Sequence, residues 1–175
     1  MKLDKIKASN DTSHLSINIE IQGNRILINY LGKEIKAYIY ICNGTRKTID
    51  KELKELNISP HHPIAIIPFT MINSIWQIIF GIISYEIIYT YRKNLYNKIK
   101  NKGLLLSMLI TGERQLSDII NRLREEYVSS NSKYFVVSLQ DSVILPDKCS
   151  EDVQLNTSIE PMHLVKNVNN YLRLV

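Results

Sequence analysis

Cysteine is scarce in this sequence: Cys42 and Cys149 are the two among 175 residues, far apart in the chain, with no Cys-x-x-Cys and no histidine grouping at metal-ligand spacing. That pattern argues against a disulfide framework and against a structural zinc site, and it suits a reducing cytoplasm. Catalytic signatures are missing as well. There is no Gly-x-x-x-x-Gly-Lys-Ser/Thr phosphate loop, no Gly-x-Ser-x-Gly elbow and no pair of carboxylates whose spacing defends an acid–base role. His61-His62, between Pro60 and Pro63, has no third ligand at a recognisable spacing and reads as a loop. The expectation is therefore a protein without catalytic residues, cofactor or metal. Met1 to Thr12 is polar and lacks the apolar core of a secretory signal, so a cytoplasmic protein is expected.

Charge is missing from one long stretch. Leu56 to Tyr85 holds no Asp, Glu, Lys or Arg, which raises the question of a membrane span. The prolines leave only Phe69 to Tyr85 as a continuous uncharged helix, and at ~1.5 Å per residue it reaches ~25 Å, short of the ~30 Å hydrocarbon core. Thr70, Asn73, Ser74, Gln77, Gly81 and Ser84 also fall on one stripe of that helix. The expectation is a buried helix whose polar stripe meets water or a partner, with Asn73, Gln77 and Ser84 as candidate partner contacts. Glu86 follows on the apolar side, where the helix is expected to emerge from the core; a buried functional carboxylate is the other reading.

Acid is missing from a second stretch, Ile87 to Gly112, while Arg92, Lys93, Lys98, Lys100 and Lys102 all lie in it and Tyr85, Tyr89, Tyr91 and Tyr96 are interspersed. Cations that release phosphate counterions, together with rings on which bases can stack, make a nucleic-acid candidate. A solvated helix end and a lysine-rich loop would look the same. The 28 isoleucines, with abundant Asn, Lys and Tyr, are what an A+T-rich genome produces, so such clusters are discounted.

What is present is ample for one domain. At 45% hydrophobic the chain can bury about two-thirds of the surface its unfolded form exposes. Its net charge of +5 leans towards an acidic partner. Ile17, Ile19 and Ile21 alternate with Asn18, Glu20 and Gln22, then Gly23-Asn24 precedes Ile26 and Ile28, which predicts a hairpin. A turn at Leu31-Gly32-Lys33 leads to a third strand, Ala37 to Ile41. Thr48 to Leu56 reads as a short amphipathic helix, and Ile64 to Ile67, bracketed by Pro63 and Pro68, as a strand. Leu104 to Ile110 is an apolar run closed by Thr111-Gly112, after which Leu116, Ile119, Ile120, Leu123 and Tyr127 mark one helix face. Tyr134 to Leu139 is a buried strand, and Ser158 with Pro161 opens a last helix. The fold class is α/β of the α+β kind: a small, mostly antiparallel sheet covered by helices, with residues 1–35 as a hairpin-bearing extension and 36–175 as the main domain.

Within this order stands Thr111-Gly112-Glu113-Arg114-Gln115-Leu116. Placed in the first turn of the following helix, Arg114 opposes the helix dipole, so helix stability alone does not ask for it. A strand, an apolar helix, a basic segment, an apolar run ending in Thr-Gly, Arg-Gln-Leu, a helix and the strand Tyr134-Phe135-Val136-Val137 resemble the small accessory subunit of the KEOPS (EKC) complex, the TPRKB kinase-binding family. The resemblance spans roughly Lys36 to Gln140. Leu105 stands where that family usually has an acid, alanines of the preceding helix are replaced, and Tyr85 to Lys98 carries an insertion of about ten residues, which a surface connection absorbs.

The resemblance implies a non-catalytic subunit with two partners: a Bud32-type small kinase/ATPase subunit and tRNA, including its single-stranded acceptor end. The complex places threonylcarbamoyl on the adenosine beside the anticodon. Arg92, Lys93, Lys98, Lys100, Lys102 and Arg114 are then the candidate RNA contacts. Two readings of other classes compete: a protein-interaction module that uses the polar stripe without nucleic acid, and a membrane-associated protein.

Overall fold

The computed structural model describes residues 17–44, 51, 54, 59–129, 133–140, 149–151 and 153. The expected helices at Thr48 to Leu56 and after Ser158 lie largely or wholly outside the described residues.

Alternating sequence gives a meander of three strands, β1 (Ile17–Gln22), β2 (Arg25–Tyr30) and β3 (Lys33–Asn43). Gly23, with φ 58°, makes the first two-residue turn; Leu31 and Gly32, with φ 50° and 74°, make the second. Positive φ at those positions matches the twist of the flanking strands. After β3 come β4 (Ile64–Pro68), a single 3-10 turn at Phe69–Met71, and helices α1 (Ile75–Tyr91), α2 (Lys93–Lys98), α3 (Lys102–Thr111) and α4 (Leu116–Ser129). Two further strands, β5 (Lys133–Ser138) and β6 (Cys149–Ser150), complete the sheet. Its order is β1-β2-β3-β5-β4, with β6 on β3, and every pairing is antiparallel.

The expected α+β fold is the observed one, with its amino-terminal hairpin. That hairpin is part of the sheet: Ile26 and Ile28 share the main core with Ile35, Ala37 and Ile39, and β3 runs unbroken across the expected boundary at residue 35. In β4 and β5 successive side chains enter two clusters. Ala65, Ile67, Phe135 and Val137 face the helices, while Ile64, Ile66, Tyr134 and Val136 pack with Tyr40 and Cys42. Burial on both faces explains why these strands read as unbroken apolar runs.

The long helix starts later than expected and ends later. Ser74 caps it, and Gln77 closes the start by accepting the Asn73 and Ser74 N–H groups at 2.6 and 3.2 Å. Among the described residues no helix is long and apolar enough to cross a membrane. Its small residue Gly81 lies against Ile110 of α3, so close that a Cβ there would stand 2.4 Å from the Ile110 side chain and 2.6 Å from its Cα.

One expectation is overturned. Cys42 and Cys149 form a disulfide, because β6 lays Cys149 directly across from Cys42 of β3 despite a separation of 107 positions in sequence. Distance along the chain does not exclude two residues from facing each other on paired strands.

Candidate nucleic-acid interface

The basic segment turns on Arg92. Its N–H donates to the Ile88 carbonyl at 2.9 Å as the last bond of α1, and its own carbonyl accepts the Tyr96 N–H at 2.9 Å as the first of α2. The chain therefore changes direction at a residue that ends one helix and begins the next. Arg92, Lys93 and Lys98 are exposed there and, with Thr90, Tyr91 and Asn94, line a crevice of about 530 Å³. Lys100 is exposed just beyond α2.

Beside the crevice lies an open groove of about 660 Å³ between the helices and β3. Tyr85, Tyr89 and Tyr96 form one wall, and Lys33, Glu34 and Lys36 the other. The rings of Tyr85 and Tyr96 meet edge to face at 5.8 Å and those of Tyr89 and Tyr96 at 5.0 Å, which locks three phenols into one surface. The Tyr85 and Tyr96 hydroxyls are 3.1 Å apart. Burial, and then the Tyr96 hydroxyl, pushes the Tyr85 phenol far above its ordinary pKa of 10.0. Tyr89 and Tyr91 leave much of their rings in solvent, at 51% and 65% exposure, so both can still stack on a ligand.

Crevice and groove share a polar partition. The Lys33 ammonium donates to Glu86 Oε1 at 3.2 Å and to Thr90 Oγ1 at 2.9 Å, and the Thr90 hydroxyl donates to the same carboxylate oxygen at 3.0 Å. Glu86 is thus the partner of a lysine at the start of β3. The bond explains how α1 continues past it to Tyr91.

Lys102, expected on the basic surface, is instead buried at 7% exposure. Its ammonium donates to the carbonyls of Tyr96 and Ile99 and lies 3.5 Å from the centroid of the Tyr96 ring. Burial lowers its pKa, while the two carbonyls and the ring face favour the charged form. Arg114 is exposed, but it stands beyond the far end of α3, about 15 Å of helix away from Lys102. The structure does not bring it to the crevice.

The Thr111 to Leu116 motif joins two helices. Gly112 takes φ 73°, the Glu113 N–H reaches back to the Met108 carbonyl at 3.1 Å, and the Thr111 hydroxyl donates to the Ser107 carbonyl at 2.9 Å. That is a left-handed helix stop with its six-to-one bond. Glu113 pairs with Arg122, and the Gln115 carbonyl accepts the Ile119 N–H at 3.2 Å, so α4 begins after Arg114 and Gln115, both exposed. Leu116 packs against the main core. Arg114 therefore lies ahead of the first turn in which it was expected.

The polar stripe of α1 also differs from expectation, because most of it points inward. Ser74 and Gln77 are buried at 3% and 4% exposure and used in the cap, Gly81 packs on α3, Ser84 is half-buried, and the exposed members, Thr70 and Asn73, lie ahead of the helix. At the other end of the sheet, the His62 Nδ1 accepts the Ser59 N–H at 2.9 Å and fixes a turn. Among the described residues no group of three or more His, Cys, Asp or Glu could hold a metal ion.

Sequence reasoning missed Lys33 and Lys36. They reach the tyrosine groove from β3, some 50 positions away in sequence, and exposed Lys33 and half-buried Lys36 read in the sequence only as polar positions of a strand. No protein-family model, curated protein or solved structure matches the chain.

Proposed function

We propose that this protein is a non-catalytic accessory subunit of a KEOPS-type complex, one that binds the single-stranded acceptor end of tRNA and docks on the small kinase/ATPase subunit. In that role it supports threonylcarbamoyl transfer to tRNA by positioning the RNA, while the chemistry belongs to its partners. One observation carries the RNA half: a crevice rimmed by Arg92, Lys93 and Lys98 lies next to a groove walled by Tyr85, Tyr89 and Tyr96, and Thr90 of the crevice is hydrogen-bonded to Lys33 and Glu86 of the groove. Phosphates would lie along the crevice and unpaired bases against Tyr89 and Tyr91, the combination that single-strand binders use. The kinase half rests on the motif resemblance alone.

Titration of tRNA, intact and trimmed of its single-stranded end, against wild type and an Arg92→Ala/Lys93→Ala/Lys98→Ala variant tests the RNA half. Each lost phosphate contact is expected to lower the log–log salt slope by about 0.7, so the triple variant should lose up to about two units of slope. Tyr89→Ala should weaken binding by about 1 to 3 kcal/mol per stacked base. Equal affinity of wild type and triple variant at low salt would remove the crevice from any RNA role. Recovery of a small kinase and a tRNA-modifying ATPase with the native protein supports the complex; recovery of neither rejects it.

A further inference from the structure

We infer that Lys102 is a positioning residue: it fastens the carboxyl end of α2 to the amino end of α3 and so sets where the exposed cations of α2 stand. Helix α2 has six residues; none is fully buried, and only Leu95 and Tyr96 rest half-buried against the main core. A helix that short does not persist by its own propensity, because nucleation costs more than so few bonds return. Something must hold it.

The last turn of any helix leaves carbonyls without internal partners. Here the Lys102 ammonium bonds the Tyr96 carbonyl within α2 and the Ile99 carbonyl just past its end, and lies against the Tyr96 ring. A cation at a helix carboxyl end is also favoured by the helix dipole. The same residue is anchored from behind. Its N–H donates to the Pro60 carbonyl at 2.8 Å, and a Cβ on the next residue, Gly103, would stand 2.1 Å from the Ile64 carbonyl. The Lys102 backbone is thus seated against the start of β4, and its side chain carries that fixed position across to α2. Among the described residues its ammonium makes no ion pair, so carbonyls and a ring face are what hold the charge. A compact ammonium with three donors fits that site, and the broad planar guanidinium of arginine does not.

The structural half needs no RNA. In wild type, an amine-acetylating reagent under native conditions should modify Lys98 and Lys100 and leave Lys102 protected; labelling of Lys102 at the same rate as Lys98 would overturn the inference. In Lys102→Met, which keeps the apolar stem, amide exchange across 93–101 should accelerate by at least about tenfold while α1, β4 and the rest of α3 keep wild-type rates. Unchanged exchange across 93–101 overturns it as well.

The functional half rests on the RNA reading above. Lys102→Met and Lys102→Arg should weaken tRNA binding alike, several-fold, because position is what both lose. A phosphate contact would be rescued by arginine, so wild-type affinity in Lys102→Arg rejects positioning. Protection and exchange as expected in a protein that binds no tRNA would leave the clamp standing and reject the RNA role alone.

Discussion

Tyr85 is a side chain whose burial has a pH signature. Its hydroxyl is enclosed between helices beside that of Tyr96, and its folded-state pKa lies far above the ordinary 10.0. A raised folded-state pKa means that the unfolded chain releases the proton first. The stability it contributes is complete below pH 10 and falls as pH rises through 10 towards the folded-state value, by about 1.4 kcal/mol per pH unit at most. Tyr85→Phe keeps the ring contact and removes the proton. Wild type should lose thermal stability more steeply than Tyr85→Phe between pH 9 and pH 11, while the two behave alike between pH 6 and pH 8. Parallel curves across the alkaline range would show that the phenol is not held as described.

At the scale of elements, α1 packs against α3 with little slack. Gly81 lets the two helices approach until the Ile110 backbone occupies the space a methyl group would need. Gly81→Ala should therefore destabilise by about 1 to 3 kcal/mol despite alanine's better helix propensity, measured as a lowered urea midpoint. A stabilised Gly81→Ala variant would mean that the helices stand farther apart. Which elements could be read from sequence follows from the same physics. Strands β1 to β3 were legible because one side of each alternates towards the core, β4 and β5 because both faces are buried, and the α3–α4 turn because only Gly112 takes φ 73° easily. The start of α1 was misplaced although Ser74-x-x-Gln77 is a capping signature open to inspection; the apolar run through Phe69 outweighed it. Its end at Tyr91 was hidden, since Lys33, the partner that neutralises Glu86, is supplied by a distant strand. Lys102 escaped for a related reason. A lysine is read as solvent-facing until carbonyls from another helix are seen to surround it.

For the whole molecule the Cys42–Cys149 bond has the longest reach. It spans 107 positions and ties a two-residue strand to the middle of the sheet, where two ladder pairs alone would hold weakly. Closing so long a loop removes about 4 to 5 kcal/mol of denatured-state freedom in the chain-entropy picture, and measured disulfides return about 2 to 4 kcal/mol. Reduction by a dithiol should therefore cost about 2 to 4 kcal/mol of stability, read as a lowered urea midpoint at unchanged slope, and speed amide exchange at Ile41 to Asn43, while a Cys42→Ala/Cys149→Ala variant, already lacking the bond, should respond to the dithiol hardly at all. The pair also bears on where the protein works. Disulfides persist in oxidising compartments and are unusual in a reducing cytoplasm outside hyperthermophiles, so the cytoplasmic expectation drawn from two distant cysteines no longer follows from them. Rapid alkylation of thiols in intact cells, before lysis, separates the cases. Two blocked cysteines per chain would mean that the bond is not formed where the protein acts, and unblocked cysteines that react only after reduction would place the oxidised form in the cell.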